Sequence, residues 1–263
     1  TTGSYNTANG NASLYSNTTG SLNTANGYQS LNYNTTGYSN TANGHKALYS
    51  NTTGIYNTAN GVWALYSNTT GSYNTALGYG AYSSGNYSNS TALGYNASIS
   101  ANDQVRIGNS NVTSIGGEVN WTALSDARIK YNVQENVPGL DFIKELRPVT
   151  YYLDIDKQNA LLGIKDTAVW EGKDDIKAIR FSGFIAQEVD AAAKKIGYNF
   201  SGVDKSGTLW GLRYAEFTVP LVKAVQELNE RNASLQSALE TLQKLLENQQ
   251  KEIEELKKMI KEK

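Results

Sequence analysis

The chain of 263 residues contains no cysteine, so no disulfide can staple it and its redox compartment is unreadable. It has one histidine, His45, and no cluster of residues with metal-ligand spacing. Those absences argue against a conventional enzyme acting on an external substrate, and no metal or cofactor is expected. Net charge is −1, which gives no reason to expect nucleic acid or a membrane surface recognised by charge. No run approaches the roughly 18 apolar residues of a membrane span, so no membrane insertion is expected. No N-terminal signal peptide is visible. The chain opens in mid-repeat, at TTG, and the natural protein is expected to extend further upstream.

Charge is also missing locally. Residues 1–101 hold one charged side chain, Lys46, and every Asp, Glu and Arg lies from Asp103 onward. What fills that uncharged stretch is a repeat. NTTG occurs at 17–20, 34–37, 51–54 and 68–71, and NTANG at 6–10, 23–27, 40–44 and 57–61, both every 17 residues. NTALG follows at 74–78; from Tyr79 to Ser100 the period loosens but keeps TALGY at 91–95.

A fixed short period means stacked equivalent units. Each unit has one or two strand-compatible runs, such as Ala64-Leu65-Tyr66, punctuated by Gly and Asn as tight corners require. The expected fold of 1–101 is a β-solenoid or β-roll. Ala8, Ala25, Ala42, Ala59 and Ala76 would form one inward stack, and Leu14, Leu31, Leu48 and Leu65 another. Asparagines at equal positions can form ladders between coils. Such a core is thin against a backbone ordering cost of about 1–2 kcal/mol per residue, and association of several chains is the natural remedy. The NxT triplets fall out of the repeat period and do not read as glycosylation acceptors. Calcium-binding nonapeptide repeats need aspartates, which the array lacks. The tyrosines either cover the solenoid surface or stack on a surface glycan.

Residues 102–124 read as a closing β-segment. Val105 and Ile107 alternate, Val112 and Ile115 follow, and EVNWTAL is expected as a last strand with Val119 and Trp121 on one side. Directly after it comes SDARIK, Ser125 to Lys130. A serine hydroxyl needs a base, and a lysine serves only when burial or nearby positive charge lowers its pKa from ~10.4 toward neutrality. Arg128 is close enough in sequence to contribute. Ser125 and Lys130 meet only if the segment turns, since five extended residues span over ~16 Å. Taken alone, Ser-x4-Lys carries little: Ser-Asp capping a turn, with Arg and Lys solvated, is the simpler account.

Downstream, 136–214 reads as mixed α+β. An amphipathic helix carries Leu140, Phe142, Ile143 and Leu146 and ends at Pro148, and 149–155 is a strand. Residues 156–178 are an excursion. IKAIRFSG is a second strand, FIAQEVDAAAKKIG a helix closed by Gly197, and TLWGLRY a last strand. Gln187 and Glu188 are read as polar helix-surface or interchain residues.

From Val225 a heptad repeat runs for five heptads without Pro or Gly. Its a positions are Val225, Asn232, Leu239, Leu246, Ile253 and Ile260; its d positions are Leu228, Leu235, Leu242, Gln249 and Leu256. Asn232 and Gln249 cost stability but fix register. The mixture of Leu and Ile leaves the number of strands open.

The blocks SDARIKYNVQE, GLDFIKELRPVTYYL, FSGFIAQEVD and LRYAEFTVPLVKAVQEL, in that order, make 125–263 resemble the C-terminal intramolecular chaperone domain of endosialidase-type tail fibres. Similar self-cleaving domains occur in other fibre proteins and in a membrane-tethered animal transcription factor. The array resembles the head repeats of trimeric autotransporter adhesins and Asn/Gly-rich phage fibre shafts. The resemblance implies a Ser125–Lys130 catalytic dyad cutting the Leu124–Ser125 bond, supported by Asp126 and Arg128. It also implies a homotrimer, located in a phage virion tail fibre assembled in the host cytoplasm, or on a bacterial cell surface. The expected parts are 1–101 repeats, 102–124 closing segment, 125–217 α+β chaperone and autoprotease, and 218–263 trimeric coiled coil. The alternative is a non-cleaving structural or adhesive fibre with a permanent trimerisation domain.

Overall fold

The computed structural model describes residues 2–164 and 167–261, with the side chain of Lys261 left aside. Lys165 and Asp166, within the expected excursion, lie outside the described residues, as do the last two positions of the expected coiled coil. The architecture is a β-solenoid, then a small α/β region, then a long C-terminal helix. The chain divides into two compact units. One comprises 1–122, 150–183 and 205–210; the other comprises 123–149, 184–204 and 211–263.

The first unit is built on seven parallel three-residue strands in sequence order: β1 (Thr7–Asn9), β2 (Thr24–Asn26), β3 (Thr41–Asn43), β4 (Thr58–Asn60), β5 (Thr75–Leu77), β6 (Thr91–Leu93) and β7 (Val105–Ile107). Register follows the repeat, with Ala25 opposite Ala42 and Ala42 opposite Ala59. The strands thus fall on Thr-Ala-Asn, not on Ala-Leu-Tyr, which forms the corner. Leu31, Leu48 and Leu65 sit there in the left-handed region, at φ 49°, 51° and 53°, and are fully buried. A left-handed L-residue costs roughly 1–2 kcal/mol, which burying a leucine, worth about 1.5–3 kcal/mol, offsets. The corner also keeps its backbone bonds: Leu48 N–H donates to Ala64 O at 2.9 Å in the next coil. The next member of this column is Tyr82, at φ 51°, whose buried hydroxyl is held above its ordinary pKa by desolvation and accepts from Tyr87 N–H.

The core is richer than alanine and leucine. A second alanine per coil is buried (Ala47, Ala64, Ala81), and so are two asparagine columns. In one, Asn51 Nδ2 donates to Asn34 Oδ1 at 2.9 Å and to Gly54 O at 3.0 Å. In the other, Asn57 N–H donates to Asn40 Oδ1 at 2.9 Å while Asn57 Nδ2 donates to Gly71 O at 2.9 Å. Among the described residues Asn68 Oδ1 is the one buried side-chain polar atom without a partner. Its column stops there because the following coil has Gly85 in place of asparagine. Replacing Asn51 with alanine leaves both column neighbours short of a bond. We expect a loss of about 1–3 kcal/mol for each buried group left unpaired, read as earlier thermal unfolding of the solenoid's circular dichroism.

The surface carries three aromatic ladders. Tyr28, His45, Trp63, Tyr79 and Tyr95 follow one another at centroid distances of 5.4, 6.4, 5.3 and 5.6 Å. Tyr33, Tyr49 and Tyr66 form the second, at 5.0 and 5.2 Å, and Tyr38, Tyr56 and Tyr73 the third, at 5.3 Å for each step.

The expected strand at EVNWTAL does not form. No regular element occurs between β7 and Ala127 among the described residues, and Val119 and Trp121 are 85% and 89% exposed. Gly116 and Gly117 ahead of that segment and Asn120 within it are residues that strands disfavour. The strand expected at 149–155 is shortened to β8 (Val149–Tyr151), since Asp154 accepts from Lys157 N–H and starts a helix, Ile155–Leu161. The excursion also contains a short helix, Asp175–Ala178, so the second expected strand is reduced to β9 (Phe181–Gly183), which pairs with β8.

In the second unit the short helix Leu140–Ile143 and the helix Ala186–Lys195 pack around Phe142. Val189, Ala192, Ala193, Phe200 and Phe217 complete that core. The helix ends as expected at Gly197, at φ 69°. The last expected strand is β11 (Gly211–Leu212), antiparallel to β10 (Val203–Asp204). The long helix then runs Thr218–Lys261. Its carboxylate Glu227 accepts Leu140 N–H at 2.8 Å, and Gly139 permits the approach, because a Cβ there would lie 2.7 Å from Ala224 N.

Candidate functional site

Ser125 and Lys130 are brought together by a local turn. Asp126 is extended, at φ −69° and ψ 135°, and its carboxylate accepts Arg128 N–H at 2.9 Å, capping the 3-10 turn Ala127–Ile129. Lys130 N–H donates to Ala127 O at 3.2 Å and closes it. The turn folds the segment back by less than one extended length, and Lys130 Nζ donates to Ser125 Oγ at 2.7 Å. The capped turn of the simpler sequence account is present, but Lys130 is bonded to Ser125 and Arg128 to Asp126 rather than left to solvent.

Arg128 is turned toward Asp126. Its Nε and Nη2 donate to Oδ1 and Oδ2 at 2.9 and 2.7 Å. This pairing holds the Asp126 carboxyl below, and the Arg128 guanidinium above, their ordinary pKa values. The positive charge expected to act on Lys130 is thus already matched within the turn. Ser125, Lys130 and the Leu124 side chain are all exposed in the single chain. Chemically, a hydroxyl with an amine at hydrogen-bond distance can pass its proton to that amine once the amine is neutral.

Two features were not legible in sequence. Glu188 is a partner rather than a bare helix-surface residue: Arg147 grips both its oxygens, with Nε to Oε2 at 3.1 Å, joining the end of the ELRP block to the AQEV block. The Glu227 cap on Leu140 spans 87 residues. Spacing alone signals neither. The a and d positions of the long helix are exposed along its length, from Val225 to Ile260. Among the described residues no group of His, Cys, Asp or Glu could hold a metal, and no helix is long and apolar enough to cross a membrane.

Residues 125–198 match the family model Peptidase_S74, described as the chaperone of endosialidase. The match begins at Ser125 itself and leaves the solenoid and the long helix outside. It agrees with the resemblance carried by SDARIK and the blocks that follow, and supports an intramolecular chaperone role in tail fibres. Peptidase_S74 is a family of self-cleaving peptidases. No curated protein and no solved structure matches the chain.

Proposed function

We propose that this chain is the C-terminal part of a trimeric fibre whose 125–263 part aligns three chains, supports folding of the 1–101 repeats, and then releases itself. Residues 102–124 connect the two, 125–217 form the chaperone and autoprotease, and 218–263 form the trimeric coiled coil. The observation that carries the cleavage reading is the 2.7 Å bond from Lys130 Nζ to Ser125 Oγ, at the first residue of the matched segment.

In the proposed reaction Ser125 Oγ attacks the carbonyl carbon of Leu124 and its proton passes to neutral Lys130. The Leu124–Ser125 C–N bond breaks, the Ser125 nitrogen takes the proton, and Leu124 is left as an ester on Oγ. Water hydrolyses the ester, freeing the Leu124 carboxylate and restoring the serine hydroxyl. Asp126 and Arg128 support the turn. Association arms the pair, because only covering the exposed lysine gives it the desolvation a base needs. The exposed heptad seam, Leu235, Leu242 and Leu246 among it, supports that association. The fibre belongs to a phage virion or a bacterial surface, and its exposed aromatic ladders offer stacking surfaces to a surface glycan or receptor.

The test is intact mass after expression, beside Ser125→Ala and Lys130→Ala. We expect fragments 1–124 and 125–263 from the wild type and an uncut chain from both variants. An uncut, stably folded, trimeric wild type would leave a permanent trimerisation cap and remove the protease.

A further inference from the structure

Strands β2 to β6 turn an alanine to the core and the residues on either side outward, while β7 has Arg106 at the alanine position. The outward positions stack in register into two columns. One column is threonine from β1 to β6 and ends at Val105. The other is asparagine from β1 to β4, then switches to Leu77, Leu93 and Ile107. These four apolar side chains are 70%, 47%, 41% and 39% exposed in the order Val105, Leu77, Leu93, Ile107. The inward alanines do not change at the switch, since Ala59, Ala76 and Ala92 are equally buried. Nothing inside the solenoid therefore calls for leucine outside it.

A contiguous apolar patch on a parallel sheet face calls for a cover. Two features select its occupant. A face repeating coil by coil is matched rung for rung by another array of the same repeat. Neither outward column holds a charged side chain to select a charged partner, since Arg106 of β7 stands at the central position between Val105 and Ile107. The heptad seam independently calls for further copies of this chain.

We propose that this sheet face is where the solenoids of neighbouring copies pack, and that Leu77, Leu93, Val105 and Ile107 set their register. The proposal rests on the trimer reading above. Coils with identical Thr and Asn faces slip by one unit at little cost. A slipped pair would press Asn60 of one copy against an apolar rung of another and bury an unpaired amide. The patch lies at the end of the array nearest in sequence to 125–263, so pairing starts there and runs toward Thr7.

The chain's lack of cysteine makes the test clean. In the full chain, kept whole by Ser125→Ala, single cysteines are placed at Asn43 on the sheet and at Leu242 on the helix, and treated with a short bismaleimide. The patch is then rewritten with the repeat's own residues, as Leu77→Asn, Leu93→Asn, Ile107→Asn and Val105→Thr. Circular dichroism checks that the solenoid still forms. We expect Asn43→Cys to link copies covalently, and the rewritten patch to lower that yield by roughly tenfold or more while links at Leu242→Cys persist. Equal yields with and without the patch would overturn its role in register. No link at the sheet with strong links at the helix would overturn the interface and spare the trimer. No link at either place, with the mass of a single chain, would overturn both.

Discussion

If Lys130 is the base of the proposed cleavage, Lys130→Arg is expected to stop it, although arginine keeps the positive charge. The reason lies in proton affinity. A guanidinium is not deprotonated in proteins, whereas a desolvated lysine amine can be. The variant thus preserves the donor seen at 2.7 Å and removes the acceptor that the reaction needs. The expected loss is about 10²–10⁴-fold, the usual worth of a general base. The measurement is the time course of fragments 1–124 and 125–263, with oligomer mass as the control for folding. A Lys130→Arg chain cleaving at the wild-type rate would show that the proton goes elsewhere.

The second large effect is structural. Gly61 sits at φ 138°, and a Cβ built on it would lie 2.4 Å from Gly78 O and 2.7 Å from Gly78 C in the next coil. A Gly61→Val chain meets two penalties there. The backbone conformation costs about 1–3 kcal/mol for a residue with a side chain. The clash with backbone then forces the coils apart, weakening the pairing of Thr58 with Thr75 and the asparagine bonds beside it. Since each coil contacts only its neighbours, the damage divides the array rather than spreading evenly. We expect limited proteolysis to cut near residue 61 and thermal unfolding to come much earlier. Thr53→Val, exposed and outside the strands of the same repeat, should stay within about 0.5 kcal/mol of wild type. Equal behaviour of the two variants would mean that the coils do not stack at this glycine.

The 17-residue period made the solenoid legible because every coil repeats one solution to one packing problem. Strand placement was not legible. Ala-Leu-Tyr has the greater β propensity, yet Leu65 turns the corner at φ 53° and Thr58-Ala59-Asn60 forms the strand. Position in the coil outranks local preference, since only the corner turns leucine into the core. The Ser125–Lys130 pair was legible as a motif and the Ser-Asp turn as its simpler reading, but not that the Asp126-capped turn brings the two side chains to bonding distance. The links Arg147–Glu188 and Glu227–Leu140 join distant segments and have no local signature. The seam from Val225 to Ile260 was read from periodicity alone, and its exposure along a single chain is what an unpartnered heptad helix shows.

Stacking also bears on how the array ages. Asn26, Asn43 and Asn60 each precede a glycine, the dipeptide in which a backbone nitrogen most readily attacks the asparagine side chain and turns it into aspartate. In the folded coils that nitrogen is engaged. Gly27 N–H donates to Asn9 O, Gly44 N–H to Asn26 O and Gly61 N–H to Asn43 O, each at 2.8 Å. Attack would need the bond broken and the coil opened. The contact that joins one coil to the next therefore also shields the chain from deamidation, and an array rich in asparagine keeps its chemical identity only while it stays wound.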